Sequence, residues 1–336
     1  MAQTMPRLLL SLLAAACLRA HGLRTASHLA GVEDGRTPAE EAFDDYDLFT
    51  DLNVYRESEP RQAYRGKEVP LTGLDKDLVD EDRYPGPRKY LFFTHHKTGT
   101  FLMRQLALAL NKTLAMEVKL HIENRKTHPC NFTAEVAHYQ NMHENDLEVL
   151  RRDCPNYRAV HLIRSPLSLL ASAYMYHRNV HDCFGMPTGP KKLEGKSVYD
   201  GLRMEAQAIT FPIPGMRGVL REMLAVHDLV KDDPRVFETD LAAFEADFDG
   251  AAKRVFTHLL GPGHSVVNKL VAVSKAADVS KWAPERLAKN DHVHQQKMKH
   301  TVTKAIAELI RVSDAATLEV QSYSEPLGYD SNATML

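Results

Sequence analysis

Tyr90-Leu91-Phe92-Phe93-Thr94-His95-His96-Lys97-Thr98-Gly99-Thr100-Phe101 is the stretch on which the reading of this 336-residue chain turns. Its first five residues are bulky and apolar or β-branched, the composition of a buried strand. The next segment is polar and holds one glycine. From Phe101 to Leu110 the leucines at 102, 106 and 110 repeat at helical spacing. A strand that hands over to a helix through such a turn places the helix's first N–H groups, and the positive end of its dipole, at the turn. An anion fits there. Gly99 lets backbone approach a phosphate, Lys97 supplies a positive charge, and Thr98 and Thr100 add hydroxyl donors. The competing reading is a plain turn capped by a threonine, with Lys97 solvated.

Working outward, Ala159-Val160-His161-Leu162-Ile163 predicts a second strand, followed by Arg164-Ser165-Pro166 and a helix running toward Tyr176. Pro166 suits the first helical position, where its missing N–H costs nothing. Arg164 stands at the strand's C-terminal end, where ligands of open α/β sheets bind. Ser172 lies two helical turns further on. An arginine fork with a nearby hydroxyl suits a phosphate; a surface ion pair and an ordinary helix residue are the alternatives. Arg235-Val236-Phe237-Glu238 predicts a third, weaker strand, Phe244 to Leu260 a helix, and Lys299 to Ile310 a late amphipathic helix. Strands alternating with helices imply a three-layer α/β/α domain around a central parallel sheet, with a P-loop-like nucleotide site. The loop is not of the ATP type, because no glycine stands five residues before Gly99 and the lysine precedes the glycine.

The two constellations together resemble the sulfotransferase superfamily, in the style of its Golgi and carbohydrate-type members. Lys97-Thr98-Gly99-Thr100 matches the family's Lys-[Ser/Thr]-Gly-Thr phosphosulfate loop. Arg164, Pro166, Ser172 and Tyr174 match its Arg-x-Pro motif with the following serine and aromatic, and Leu327-Gly328-Tyr329 resembles the ending of many members. The likeness spans about Lys89 to Tyr329 and thins between Met175 and Val236. It implies transfer of a sulfuryl group from PAPS (3′-phosphoadenosine 5′-phosphosulfate) to a hydroxyl or amine by in-line displacement, with no metal. Under it, Lys97 offsets charge on the leaving phosphate, backbone N–H groups around Thr98 to Phe101 hold the 5′-phosphate, and His96 belongs to the same nucleotide-binding loop. Arg164 and Ser172 hold the 3′-phosphate. Lys297, with His292 and His294, would close over the nucleotide, although the family's basic Arg-Lys-Gly pattern is absent. The general base is a His or a Glu in this family. Candidates are His121, Glu123, His128 and Glu205, with Glu205 preferred because Gly201 to Ala206 resembles a helix lining the acceptor side. An ATP-dependent phosphotransferase and a non-catalytic nucleotide- or glycan-binding module are the rival functions.

The N-terminus reads as a targeting segment. Arg7 precedes an apolar run, Leu8 to Leu18, and then Ala20-His21-Gly22. The run is about half of the ~20 residues a membrane span needs, so residues 1–22 read as a signal peptide or a short anchor. Residues 23–88, rich in acidic residues, arginine and proline, read as a stem or loosely packed lead-in, and 89–330 as the sulfotransferase domain. A secretory route points to the Golgi lumen or outside the cell and to a glycan acceptor. The sequons at Asn111, Asn131 and Asn332 agree with that route. In an oxidising compartment two of Cys130, Cys154 and Cys183 could pair. With 42 Lys+Arg against 44 Asp+Glu, the net charge of −2 creates no general attraction for nucleic acid. Any bound anion must be held locally.

Overall fold

The computed structural model describes residues 88–122, 133–179, 188–211, 218–283 and 296–330. Five parallel strands form one sheet in the order β2-β3-β1-β4-β5. They are β1 (Lys89–Thr94), β2 (Val118–Ile122), β3 (Val136–Gln140), β4 (Tyr157–Ile163) and β5 (Val236–Asp240). Parallel neighbours need crossover connections. These are supplied by α1 (Thr100–Leu114), α2 (Glu144–Asp153), α3 (Pro166–Asn179), α4 (Pro190–Leu193), α5 (Val198–Thr210) and α6 (Val219–Val230). After β5 come α7 (Leu241–Ala246), α8 (Phe248–Leu260), α9 (Val267–Ser274), α10 (Gln296–Arg311) and α11 (Ala315–Ser322).

The period of two along each strand sorts the core into layers. From β1 and β4, Phe92, Val160 and Leu162 pack with α1, α8 and α9. Leu91, Phe93, Tyr157 and Ala159 face the other way, toward Leu147 and Leu150 of α2 and Val226 and Val230 of α6. That is the expected α/β/α sandwich. A third apolar cluster joins α3, α5, α10 and α11, and takes in Leu327 of the C-terminal segment.

The predicted strands and Pro166-initiated helix are present with small extensions. The helix expected over Phe244 to Leu260 is two. Asp247 interrupts it because its carboxylate accepts the Gly250 N–H and caps α8 anew. Strands β2 and β3 were not anticipated. The chain leaves β1 for the edge strand β2, returns to β3, then crosses to the other side of β1 for β4 and β5. This reversal puts the loop after β1 at the switch point, where open α/β sheets present ligand sites.

Candidate active site

The loop Thr94–Gly99 is a closed turn. Thr98 Oγ1 donates to the His95 carbonyl at 2.9 Å and accepts the His95 N–H at 2.9 Å. The Thr98 hydroxyl therefore locks the loop and does not serve as a ligand donor, a correction to the cradle as read from sequence. Lys97 takes a left-handed backbone (φ 66°), a strained choice for a residue with a Cβ. Gly99 follows with φ 109°, and a Cβ there would come within 2.7 Å of Leu162 Cδ2 and 3.2 Å of Leu241 Cδ1. Only glycine lets the turn sit this low on β4. Gly99 also begins α1, whose first turn carries no acidic residue to compete with an anion. Phe101 sends its ring into the core, so any contribution from it is through backbone.

Lys97 is not solvated. It is 4% exposed, and its Nζ lies over the Tyr176 ring, 3.8 Å from the centroid. Arg164 is no surface ion pair either. It is 3% exposed, and its Nη1 donates to the Lys97 carbonyl at 2.8 Å. The two constellations expected to share a ligand are in direct contact. Ser172 is fully buried on α3, and its Oγ has no hydrogen-bond partner among the described residues, an exceptional state for a buried hydroxyl. These features fit a phosphorylated ligand: a glycine-only cradle, a buried cation braced by an arginine, and an unsatisfied buried hydroxyl.

Adjacent loop residues each start a hydrogen-bonded chain. His95 Nε2 lies 2.9 Å from His161 Nε2, and His161 Nδ1 lies 2.8 Å from Glu238 Oε2. Glu238 Oε1 also accepts from His227 Nδ1 at 2.7 Å. Burial, together with His161 and His143, pushes His95 well below the usual imidazole range and keeps it neutral. Burial alone would raise Glu238, but hydrogen bonds from His161 and His227 outweigh it and hold the carboxyl at about 2. The second chain runs from His96 Nε2 to His177 Nε2 at 3.2 Å, and from His177 Nδ1 to both Glu205 oxygens at 3.0 Å. Thr188 Oγ1 approaches the same Nδ1 at 3.1 Å.

Glu205 lies where the helix reading put it, on α5, but it is fully buried behind His177 and does not open onto the loop. Glu123 and His128 lie outside the described residues, as do His292 and His294. His121 falls on β2 and Lys297 in the first turn of α10, and both side chains lie outside the described set. Cys154 is disulfide-bonded, while Cys130 and Cys183 lie outside the described residues. Reading from sequence missed Tyr176, His177, His95, His161 and Glu238. The signal for Tyr176 was present: it stands four residues after Ser172, on the same helical face. Among the described residues, no group of three or more His, Cys, Asp or Glu is placed to hold a metal ion. Asp240 ends β5, but its carboxylate caps α7 by accepting the Ala243 N–H at 2.8 Å.

No family model matches this chain, and no curated protein does. Among solved structures it is similar to mouse sulfotransferase SULT7A1 complexed with PAP, with a TM-score of 0.44 and 10% sequence identity, over 75% of this chain and 95% of that one.

Proposed function

We propose that this chain is a PAPS-dependent sulfotransferase acting in the secretory pathway, with a hydroxyl or amine, foremost of a glycan, as acceptor. The observation that carries the proposal is the 2.8 Å bond from Arg164 to the Lys97 carbonyl. It makes one site of two sequence motifs whose joint appearance resembles that family. PAPS supplies an activated sulfuryl group on a phosphate leaving group. On this reading the backbone around Thr98 to Phe101 binds the 5′-phosphate, and Lys97 offsets the charge that develops as the group departs. Arg164 and Ser172 hold the 3′-phosphate, and Arg164 also keeps the Lys97 turn in its left-handed form. A site so braced acts by positioning and preorganised charge. Residues 89–330 would form the catalytic domain behind a signal or short anchor and a stem.

The ATP-using rival is disfavoured by Asp240, the carboxylate at the end of β5, because it is engaged by the α7 backbone. The test is calorimetric binding of adenosine 3′,5′-bisphosphate to the full chain, followed by turnover with PAPS. Binding is expected, and Lys97→Ala should lower turnover by ~1000-fold or more while the protein stays folded, as loss of a preorganised charge at the reacting centre does. No affinity for the bisphosphate, or unchanged turnover in the variant, would refute the assignment.

A further inference from the structure

The chain His96–His177–Glu205 is not explained by nucleotide binding. We infer that His96 is the group that takes the proton from the acceptor, with His177 and Glu205 as positioning residues behind it; the inference rests on the sulfuryl-transfer reading above.

Accessibility sets the order of the chain. Glu205 is fully buried, with both oxygens 3.0 Å from His177 Nδ1, so no acceptor reaches it. His177 is 1% exposed and engaged at both nitrogens, by His96 on one side and by Glu205 and Thr188 on the other. His96 alone of the three is only half-buried, and it directly precedes Lys97 in the loop. The His96 and His177 ring planes lie within 8° of each other, with centroids 5.2 Å apart, and the Tyr176 ring meets His96 edge-on at 5.9 Å. The imidazole is thus fixed between an aromatic wall and its partner.

The hydrogen bonds also fix the tautomers. The Glu205 carboxylate only accepts, so His177 carries its proton on Nδ1. Neutral His177 then accepts at Nε2, His96 donates from Nε2, and the lone pair of His96 stands on Nδ1. In the reaction the acceptor O–H gives its proton to His96 Nδ1, and the Nε2 proton of His96 passes to His177 Nε2. The resulting imidazolium is paired with Glu205. The acceptor oxygen forms its bond to sulfur as the sulfur–bridging oxygen bond breaks, and that electron pair leaves on the 5′-phosphate, countered by Lys97. Proton and charge are both accounted for within the chain. A carboxylate that orients and compensates a histidine base in this way is a recurrent solution to the same problem.

Two measurements test the relay. Nitrogen-15 spectra of the histidine rings in the wild-type chain bound to adenosine 3′,5′-bisphosphate should show Nδ1–H on His177 and Nε2–H on His96; the opposite tautomer on either ring overturns the inference. Independently, His96→Gln should slow transfer from PAPS to a desulfated polysaccharide hydroxyl by ~100-fold or more, the typical contribution of a general base. Transfer to p-nitrophenolate, which arrives already deprotonated, should fall far less in the same variant than transfer to the polysaccharide hydroxyl, because it needs no base. Equal losses for both acceptors, or none, overturn it as well. A wild-type chain that binds no bisphosphate removes the nucleotide reading and the relay with it. A chain that binds, but has the wrong tautomers, removes the relay alone.

Discussion

Two neighbouring loop residues, His95 and His96, begin chains of the same chemistry, an imidazole on an imidazole on a carboxylate, and the surroundings give them opposite uses. The His95 chain lies across the sheet. His161 is in register with Phe93 on one side and Glu238 on the other, so strand pairing alone puts the three side chains on one face. His95 and His161 are buried there, and burial has driven His95 to its neutral form. The His96 chain leaves the sheet and crosses two helices, α3 and α5, and ends at a ring that reaches the surface. The same set of groups therefore braces the loop where solvent is excluded and offers a base where it is admitted. Motif chemistry does not separate the two; exposure does.

The largest effect that separates them is expected at the carboxylates. Glu238→Gln leaves an amide facing two imidazole N–H donors, of which its oxygen can accept one. Breaking a buried charged network of this kind costs about 3 kcal/mol or more. The carboxyl is held at about 2, below its ordinary 4.5. Its contribution is thus present above the unfolded value and lost as pH falls toward the folded one. Melting followed from pH 7 to pH 3 should show a steep acid limb in the wild type and a much flatter one in Glu238→Gln. A Glu205→Gln chain should keep the steep limb and lose turnover. Equal melting curves for the two variants would erase the distinction between brace and relay.

A somewhat smaller effect is expected two residues on, at Asp240. Burial raises its carboxyl from 3.8 to about 6, and Glu238 adds to the rise; the Ala243 N–H and Tyr329 oppose it only in part. A raised acid works in the opposite sense to Glu238. Its stabilisation is full below the unfolded value and is lost as pH rises through about 6. The shift corresponds to on the order of 2–3 kcal/mol between the two limits. Asp240→Asn retains a capping oxygen for Ala243 and cannot ionise, so its stability should fall less than that of the wild type between pH 5 and pH 8. A parallel fall in both would mean that the carboxylate is not desolvated.

The contrast between the chains also marks what the sequence could disclose. Strand, turn and helix were legible around the loop and around Arg164 because each is local: apolar runs, a glycine, a proline at N1. The contact between Arg164 and the Lys97 loop joins two of those junctions. The hydrogen-bonded chains were not legible, since His95–His161 and His96–His177 join residues 66 and 81 positions apart. Nothing in local pattern distinguishes a relay histidine from a solvated one. Strands β2 and β3 escaped for a related reason. Each is five residues long, and neither has a sustained apolar run: Lys119 and His121 alternate with apolar residues in β2, and β3 ends His138-Tyr139-Gln140. Thr98 was misread because a hydroxyl beside a phosphate-type loop can close the turn as readily as face a ligand.

The finest test lies at Tyr176, which packs against the second chain. Its ring carries the Lys97 ammonium at 3.8 Å and packs against both His96 and His177. A desolvated cation over an aromatic face is worth ~1–2 kcal/mol, so Tyr176→Leu should release the lysine and loosen the imidazole beside it, whereas Tyr176→Phe keeps the ring beneath the lysine and should lose less. Turnover is expected to fall ~10-fold in the leucine variant, in line with that energy, while the acid limb of melting, which belongs to Glu238, stays in place. If Leu and Phe at this position behaved alike, the ring would be only packing, and Lys97 would owe its position to Arg164 and the loop alone. If instead the acid limb moved in the leucine variant, the two chains would be coupled through the loop and could not be assigned separate tasks.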